Sequence, residues 1–451
     1  MKNTPRPVDQ GGFAHVFRTL RYRNYRLFYA GQLVSLIGTW MQQVAMTWLV
    51  YRMTNSPFLL GVVGFAGQMP AFLMSAFAGV LADRGNRHRM LILTQSLAMA
   101  QASVLAVLTL TGAVAVWHLV SLSIFLGMVN AFDVPIRQSF LLDMIENKED
   151  LGNAIALNSS LFNGARLIGP AIAGLIIAAL GEGACFVLNA LSYIAVIAAL
   201  AAMEITPRKR APTQQGVLKG LAEGFRYVAG SPPIRRILLL LAVVSLTGMP
   251  YSVLMPIFAR DILGGGPNTL GFLMGATGVG ALTGALLLAS RKSVVGLGRW
   301  IPLAAGVFGA GLAAFTLSHA VWLSMLLLTF VGLGMMLQIG SSNTILQTIV
   351  DDDKRGRVMS FYAICFLGMA PFGSLLAGSL AGSIGAPKTL FISGIVCIIA
   401  AIIFARQLPS FRNEVRPIYA RLGIIPEVSP GMYTIADAAL PPGDRHLSPP
   451  G

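Results

Sequence analysis

One arginine stands inside otherwise apolar sequence. Arg166 lies in the stretch Gly164-Ala165-Arg166-Leu167-Ile168-Gly169-Pro170-Ala171-Ile172-Ala173-Gly174. Counted from Ala154, it falls about 18 Å along a helix, past the middle of a hydrocarbon layer ~30 Å thick. A charge at that depth is costly and faces a partner or a wet cavity. Two readings follow: an anchor for an anionic substrate, or a structural cation satisfied by Asp133 or by backbone carbonyls. Asp133 itself, in Phe132-Asp133-Val134-Pro135-Ile136-Arg137-Gln138, sits at the inner end of an apolar run. It can accept Arg84, Arg87 or Arg137 as a gate ion pair, or carry a coupling proton.

A third cluster is neutral. Gln32, Ser35, Thr39 and Gln42 follow one another at i, i+3, i+7 and i+10, which puts four polar side chains on one helix face. In hydrocarbon such a face turns to a cavity or another helix. Asn130, Tyr251, Gln338, Ser341 and Asn343 offer similar groups in later apolar runs.

These residues need helices that cross a bilayer, and the composition supplies them. Of 451 residues, 55% are hydrophobic and 11% charged, against roughly 25% charged in soluble proteins. A water-soluble enzyme is excluded on that ground. Twelve runs reach the ~20 apolar residues a span requires. They begin near Tyr25, Pro57, Met90, Val116, Ala154, Gly183, Ile237, Thr269, Trp300, Val321, Val358 and Pro387. The expected organisation is an N-terminal arm (1–23), a six-helix bundle (24–203), a basic linker (204–236) with a short amphipathic helix around Leu218–Val228, a second six-helix bundle (237–405), and a disordered tail (406–451). Gly152, Gly169 and Gly174 recur as Gly356, Gly373 and Gly378, and Gly61 matches Gly271, so the halves read as internal repeats.

The net charge of +15 suggests nucleic acid in a soluble protein. Sorted by segment, 29 of the 33 Lys and Arg fall on one side of twelve spans. The imbalance is a topology signal that places both termini in the cytoplasm, and no nucleic-acid partner is expected.

After the second span comes Gly79-Val80-Leu81-Ala82-Asp83-Arg84-Gly85-Asn86-Arg87-His88-Arg89. It resembles the loop signature of the major facilitator superfamily, Gly-x-Leu-Ala-Asp-Arg-x-Gly-Arg-Lys, with Asn86 at the second glycine and His88 at the usual lysine. The stretch holding Gly164, Gly169, Pro170 and Gly174 is similar to the helix-5 packing motif of exporters in that superfamily. Phe132–Gln138, Asn153–Ser159 and Arg355–Ser360 are similar to the branch of the enterobactin exporter and the transmembrane secretion effectors. The resemblance covers roughly residues 15 to 410. It implies an all-α membrane protein of two pseudo-symmetric six-helix bundles, the major facilitator fold. It further implies a secondary transporter in a bacterial-type inner membrane, working by alternating access as a proton-coupled exporter of a siderophore, metabolite or drug-like compound, and as a monomer among membrane lipids. A cytoplasmic gate would use Gly79, Asp83, Arg84, Arg87, Asp133 and Arg137. Spans 1, 4, 7 and 10 would line the substrate cavity, which adds weight to the cavity reading of Gln32, Ser35, Thr39, Gln42, Asn130, Arg166, Tyr251, Gln338, Ser341 and Asn343. An importer of the same fold and a non-transporting receptor or assembly factor are the alternatives.

No phosphate-binding Gly-x-x-x-x-Gly-Lys-Ser/Thr, His-Glu-x-x-His or Gly-x-Ser-x-Gly occurs, and the five histidines are scattered. No cofactor, metal or catalytic residue is expected. The three cysteines give no disulfide framework.

Overall fold

The computed structural model describes residues 18–145, 147–204, 217–291 and 293–425; the side chains at 75–84, 142, 148 and 217–221 lie outside that description. Among the described residues, twelve helices are long and apolar enough to cross a membrane. The first six are α1 Arg23–Thr54, α2 Pro57–Arg84, α3 Arg87–Leu110, α4 Val116–Asp143, α5 Leu151–Leu180 and α6 Glu182–Ala201. The second six are α7 Pro232–Ile262, α8 Pro267–Ala289, α9 Leu297–Phe315, α10 Val321–Ile349, α11 Asp352–Ile384 and α12 Ala386–Arg406. Each begins within two turns of the residue expected from the sequence. Among the described residues there is no strand.

Prolines at the first turn open α7, α8 and α12, where a missing N–H is harmless. The hairpins α5–α6 and α11–α12 turn on Gly181 (φ 81°) and Gly385 (φ 88°), a backbone region that L side chains avoid. Those two glycines are themselves repeat mates.

The halves meet along two seams built by the same symmetry. Gly61 of α2 packs on Gly378 of α11, and Gly271 of α8 packs on Gly174 of α5. A Cβ at Gly61 would stand 2.6 Å from the Ser374 carbonyl oxygen, and one at Gly271 would stand 2.5 Å from that of Pro170. Only glycine permits such backbone contact, as in other close membrane crossings. Of the matched glycines, Gly61, Gly271, Gly174 and Gly378 are therefore the two sides of paired seams, which lie toward the start of α2 and the end of α5.

Two segments differ from expectation. The short linker helix expected around Leu218–Val228 is present as Val217–Gly230, but α7 already starts at Pro232, inside the stretch assigned to the linker. A tail helix spans Leu408–Arg421, where disorder was expected from residue 406. Phe411, Val415 and Tyr419 recur at i, i+4 and i+8 and are buried, and Arg236 of α7 pairs with Glu414 at 3.1 Å. The Pro- and Gly-rich composition that suggested disorder belongs mainly to residues 426–451, which lie outside the described residues.

Both α7 and α11 carry π-helical turns: Val244–Gly248 and Phe258–Ile262 in α7, Ile364–Gly368 in α11. The first and third meet through the Ser245 hydroxyl, which donates to the Phe366 carbonyl. Such turns loosen the helical ladder and gather at functional sites.

Candidate functional site

A cavity of ≈ 410 Å³ lies between the halves, lined from α1, α2, α3 and α4 on one side and from α7, α8 and α11 on the other. Its lining contains Thr39, Gln42 and Asn130 of the expected residues, together with Gln43, Gln68 and Gln101, which sequence reasoning missed.

Gln42 and Gln101 are already bonded to protein. The Gln42 amide donates to Gln101 Oε1 at 2.9 Å, and Asn189 of α6 donates to Gln42 Oε1 at 2.7 Å. The Gln101 amide in turn donates to the Leu122 carbonyl at 3.4 Å. This chain ties α1, α3, α4 and α6 together behind the cavity wall. Thr39 donates to the Ser35 carbonyl at 2.9 Å.

The remaining expected cavity residues lie elsewhere. Gln32 is buried and accepts from Arg137 at 3.0 Å. Ser35 is buried on the same helix. Tyr251 is buried and packs edge-on against Phe308, while its neighbours Pro250 and Ser252 line the cavity. Gln338 and Ser341 are fully buried within the C-terminal half, their side-chain polar atoms without a hydrogen-bond partner. Asn343 accepts from Gln347 at 3.0 Å.

Arg166 is half-buried and is not a lining residue. Its guanidinium lies 5.8 Å from the Trp40 ring centroid and reaches Met335 Sδ of α10 at 3.5 Å. Asp133 does not satisfy it, contrary to one of the two sequence readings. A cation–π contact and a thioether replace the carboxylate.

Asp133 has its own partners. It accepts from Thr94 Oγ1 at 2.8 Å and from Gln95 Nε2 at 2.7 Å, and Arg137 Nε lies 3.6 Å away. Of the arginines proposed for it, Arg137 is the one found among the described residues. Arg87 instead pairs with Asp143 at 2.9 Å, joining the start of α3 to the end of α4. Both pairs stay inside the N-terminal half, so neither bridges the halves here. Gly79, Asp83 and Arg84 fall at the end of α2, and their side chains lie outside the described residues.

In the helix-5 motif, Gly169 faces Trp40 Cβ, where a Cβ would approach to 2.6 Å, and Gly174 forms the α5–α8 seam. Pro170 supplies the carbonyl against Gly271. A Cβ at Gly164 would meet nothing within 4 Å.

The links between the halves lie toward the opposite end. Tyr51 of α1 donates to Asp261 of α7, and Arg260 donates to Asn55 Oδ1 at 2.6 Å. Arg52 pairs with Glu182 through two bonds of 2.7 and 3.2 Å, bracing the end of α1 against α6. Among the described residues, the other side-chain hydrogen bonds that cross between the halves are Gln68 to Ser374 at 3.5 Å and the Arg166–Met335 contact. Sequence reasoning missed this latch because Asn55, Arg260 and Asp261 read as ordinary loop residues.

Comparison with known proteins agrees with this architecture. The family model of transmembrane secretion effectors matches residues 14–420. The chain is 27% identical to the staphyloferrin A transporter of Staphylococcus aureus over 84% of its own length and 95% of that protein. It is 28% identical to the multidrug efflux pump Tap of Mycobacterium tuberculosis, covering 84% and 92%. It is 24% identical to macrolide efflux protein A of Streptococcus pyogenes, covering 85% and 96%. Among solved structures, a bacterial homologue of the human lysosomal transporter Spinster superposes with a TM-score of 0.69 at 14% identity, over 90% of this chain and 99% of that one.

Proposed function

The chain belongs to the transmembrane secretion effector family, a multi-pass membrane transporter of the major facilitator type, and from that premise we propose that it exports a small molecule from the cytoplasm by alternating access. The observation that supports this reading is that, among the described residues, the side-chain bonds linking polar groups of the two halves concentrate toward one end. Glycine seams and the Tyr51–Asp261 and Arg260–Asn55 bonds join them at one end. The ion pairs Arg87–Asp143 and Asp133–Arg137 at the other end each stay within one half. A cavity at the junction of two rocking bundles is where a transporter of this kind holds its cargo.

With both termini cytoplasmic, as the distribution of Lys and Arg supports, this conformation opens toward the cytoplasm. In the opposite state, the cluster around Asp83, Arg84, Arg87, Asp133 and Arg137 closes that side. Protons are the proposed counter-ion, with Asp133 as the coupling group. The working unit in this reading is a monomer, and the membrane is the bacterial plasma membrane.

The test has two steps. Metabolite profiling of cells lacking the protein identifies a compound that accumulates inside. Flux of that compound is then measured in proteoliposomes under an imposed pH gradient. Export by proton antiport predicts movement against the proton flow that stops with a protonophore. Flux indifferent to the gradient would remove the coupling, flux in the opposite direction would make the chain an importer, and absence of flux would leave a receptor.

A further inference from the structure

The two walls of the central cavity differ in chemistry. On the N-terminal side, Gln43 of α1, Gln68 of α2 and Asn130 of α4 present carboxamides to the open space. All three residues are exposed. Neither Gln43 nor Asn130 makes a side-chain hydrogen bond among the described residues. Gln68 uses only its amide nitrogen, toward the Gly64 carbonyl at 3.1 Å and Ser374 at 3.5 Å. Each carboxamide carries both donor and acceptor capacity.

The C-terminal wall is apolar, built from Met249, Pro250, Val253, Met274, Phe366 and Leu367. Its two hydroxyls point back into their own helices: Ser252 donates to the Met249 carbonyl at 3.4 Å and Ser374 to the Ala370 carbonyl at 2.9 Å. Among the described residues, no Asp, Glu, Lys, Arg or His belongs to the lining. Arg166 and Asp133 are held by partners away from it.

A charged ligand placed here would lose its hydration without gaining a counter-charge, which is costly inside a membrane protein. A neutral ligand with donors and acceptors along one face would pair with the carboxamides, and its apolar face would cover the methionines and Phe366. We infer that the cavity selects uncharged amphiphiles of about drug size, with hydrogen-bonding groups on one side, and that Gln43, Gln68 and Asn130 determine that specificity. This rests on the transporter reading only in taking the cavity as the cargo site.

Equilibrium binding to the full chain in lipid nanodiscs tests it with three probes. These are radiolabelled chloramphenicol, neutral with two hydroxyls and an amide beside an aromatic ring, the cation tetraphenylphosphonium, and the anion nalidixate. Chloramphenicol is expected to bind saturably and to resist displacement by either ion. Gln43→Leu and Asn130→Leu should each weaken it about tenfold, the equivalent of one neutral hydrogen bond. Displacement by either ion at equal concentration, absence of saturable chloramphenicol binding, or unchanged affinity in both variants would overturn the inference. The displacement arm needs no variant, so a misfolded mutant cannot decide it. Proteoliposome flux separates the two readings. Binding of chloramphenicol without its movement defeats transport and leaves the ligand class standing; flux of either ion without chloramphenicol binding does the reverse.

Discussion

Asp133 is a carboxylate in the membrane with three polar partners, Thr94, Gln95 and Arg137. Asn at this position keeps a side chain of similar shape that still accepts from Thr94, but it cannot take up a proton. Asp133→Asn should therefore insert normally and lose at least about tenfold of gradient-driven flux, a barrier change of ~1.4 kcal/mol. Equal flux in variant and wild type under the same gradient would sink the coupling role. Asp150 shows a carboxylate with a structural task outside the spans. The Tyr22 phenol donates to it at 2.7 Å, Arg21 pairs at 2.7 Å and Arg18 at 3.0 Å, which fastens the N-terminal turn to the start of α5. The Tyr22 hydrogen bond, followed by the two arginines, holds its carboxyl below the usual carboxylate value. The folded protein binds this proton less tightly than the unfolded chain does. Its stabilisation is complete above about pH 3.9, the ordinary value, and disappears as the pH falls through the lower folded value. Asp150→Asn should accordingly lower Tm at neutral pH, and the difference from wild type should shrink as the melting buffer is taken below about pH 4. A difference independent of pH would mean that packing, not charge, fastens the turn.

At the scale of elements, the helices were legible in sequence because each span is a run of about twenty apolar residues, a signal that needs no tertiary information. The repeat was legible too, since Gly174 and Gly378 keep their spacing. Their partners were not, because a seam joins residues far apart in the chain: Gly61 meets Gly378 and Gly271 meets Gly174 only after the halves dock. The cavity was legible in part for a similar reason. Thr39 and Gln42 belong to a polar stripe, whereas Gln43 and Gln68 are isolated polar residues whose facing depends on how α1 and α2 rotate in the bundle. Arg166 drew attention through its charge, yet its partners, an indole and a thioether, carry no polar signature that a sequence pattern could reveal. The seams themselves make a direct prediction. Gly271→Val would press a Cβ to 2.5 Å from the Pro170 carbonyl, with backbone on both sides and no flexible chain end to yield. Overpacking of this kind costs about 1–3 kcal/mol. A lowered Tm in detergent should accompany weakened closure at that end, whereas Gly164→Val, at a glycine with open space around it, should leave Tm unchanged. Similar melting of both variants would refute the seam.

For the whole molecule, closure at one end competes with closure at the other, and the ledger of inter-half bonds decides which state is populated. The described latch is small. Tyr51 donates to Asp261, Arg260 donates to Asn55, and Arg260 also lies 5.6 Å from the Tyr51 ring centroid. Asp261 and Arg260 both sit on the π-helical turn that ends α7, so a rotation of that end would release both links together. Bonds to charged groups contribute about 1.5–3 kcal/mol each, and a shift of ~1.4 kcal/mol changes a two-state ratio tenfold. Removing the Tyr51 hydroxyl and the Asp261 charge together should move the population measurably toward the state open at the far end. A cysteine in the cavity reports this directly. With Gln68→Cys as the reporter and Cys365→Ser to remove the half-buried native thiol, Cys185 and Cys397 remain buried and silent. In right-side-out vesicles, Tyr51→Phe with Asp261→Asn should raise labelling by an impermeant maleimide several-fold. In inverted vesicles the same pair of substitutions should lower it. Labelling that rises from both sides would show a loosened structure and no shift between two closures, and labelling unchanged on both sides would show that the glycine seams alone hold the end shut.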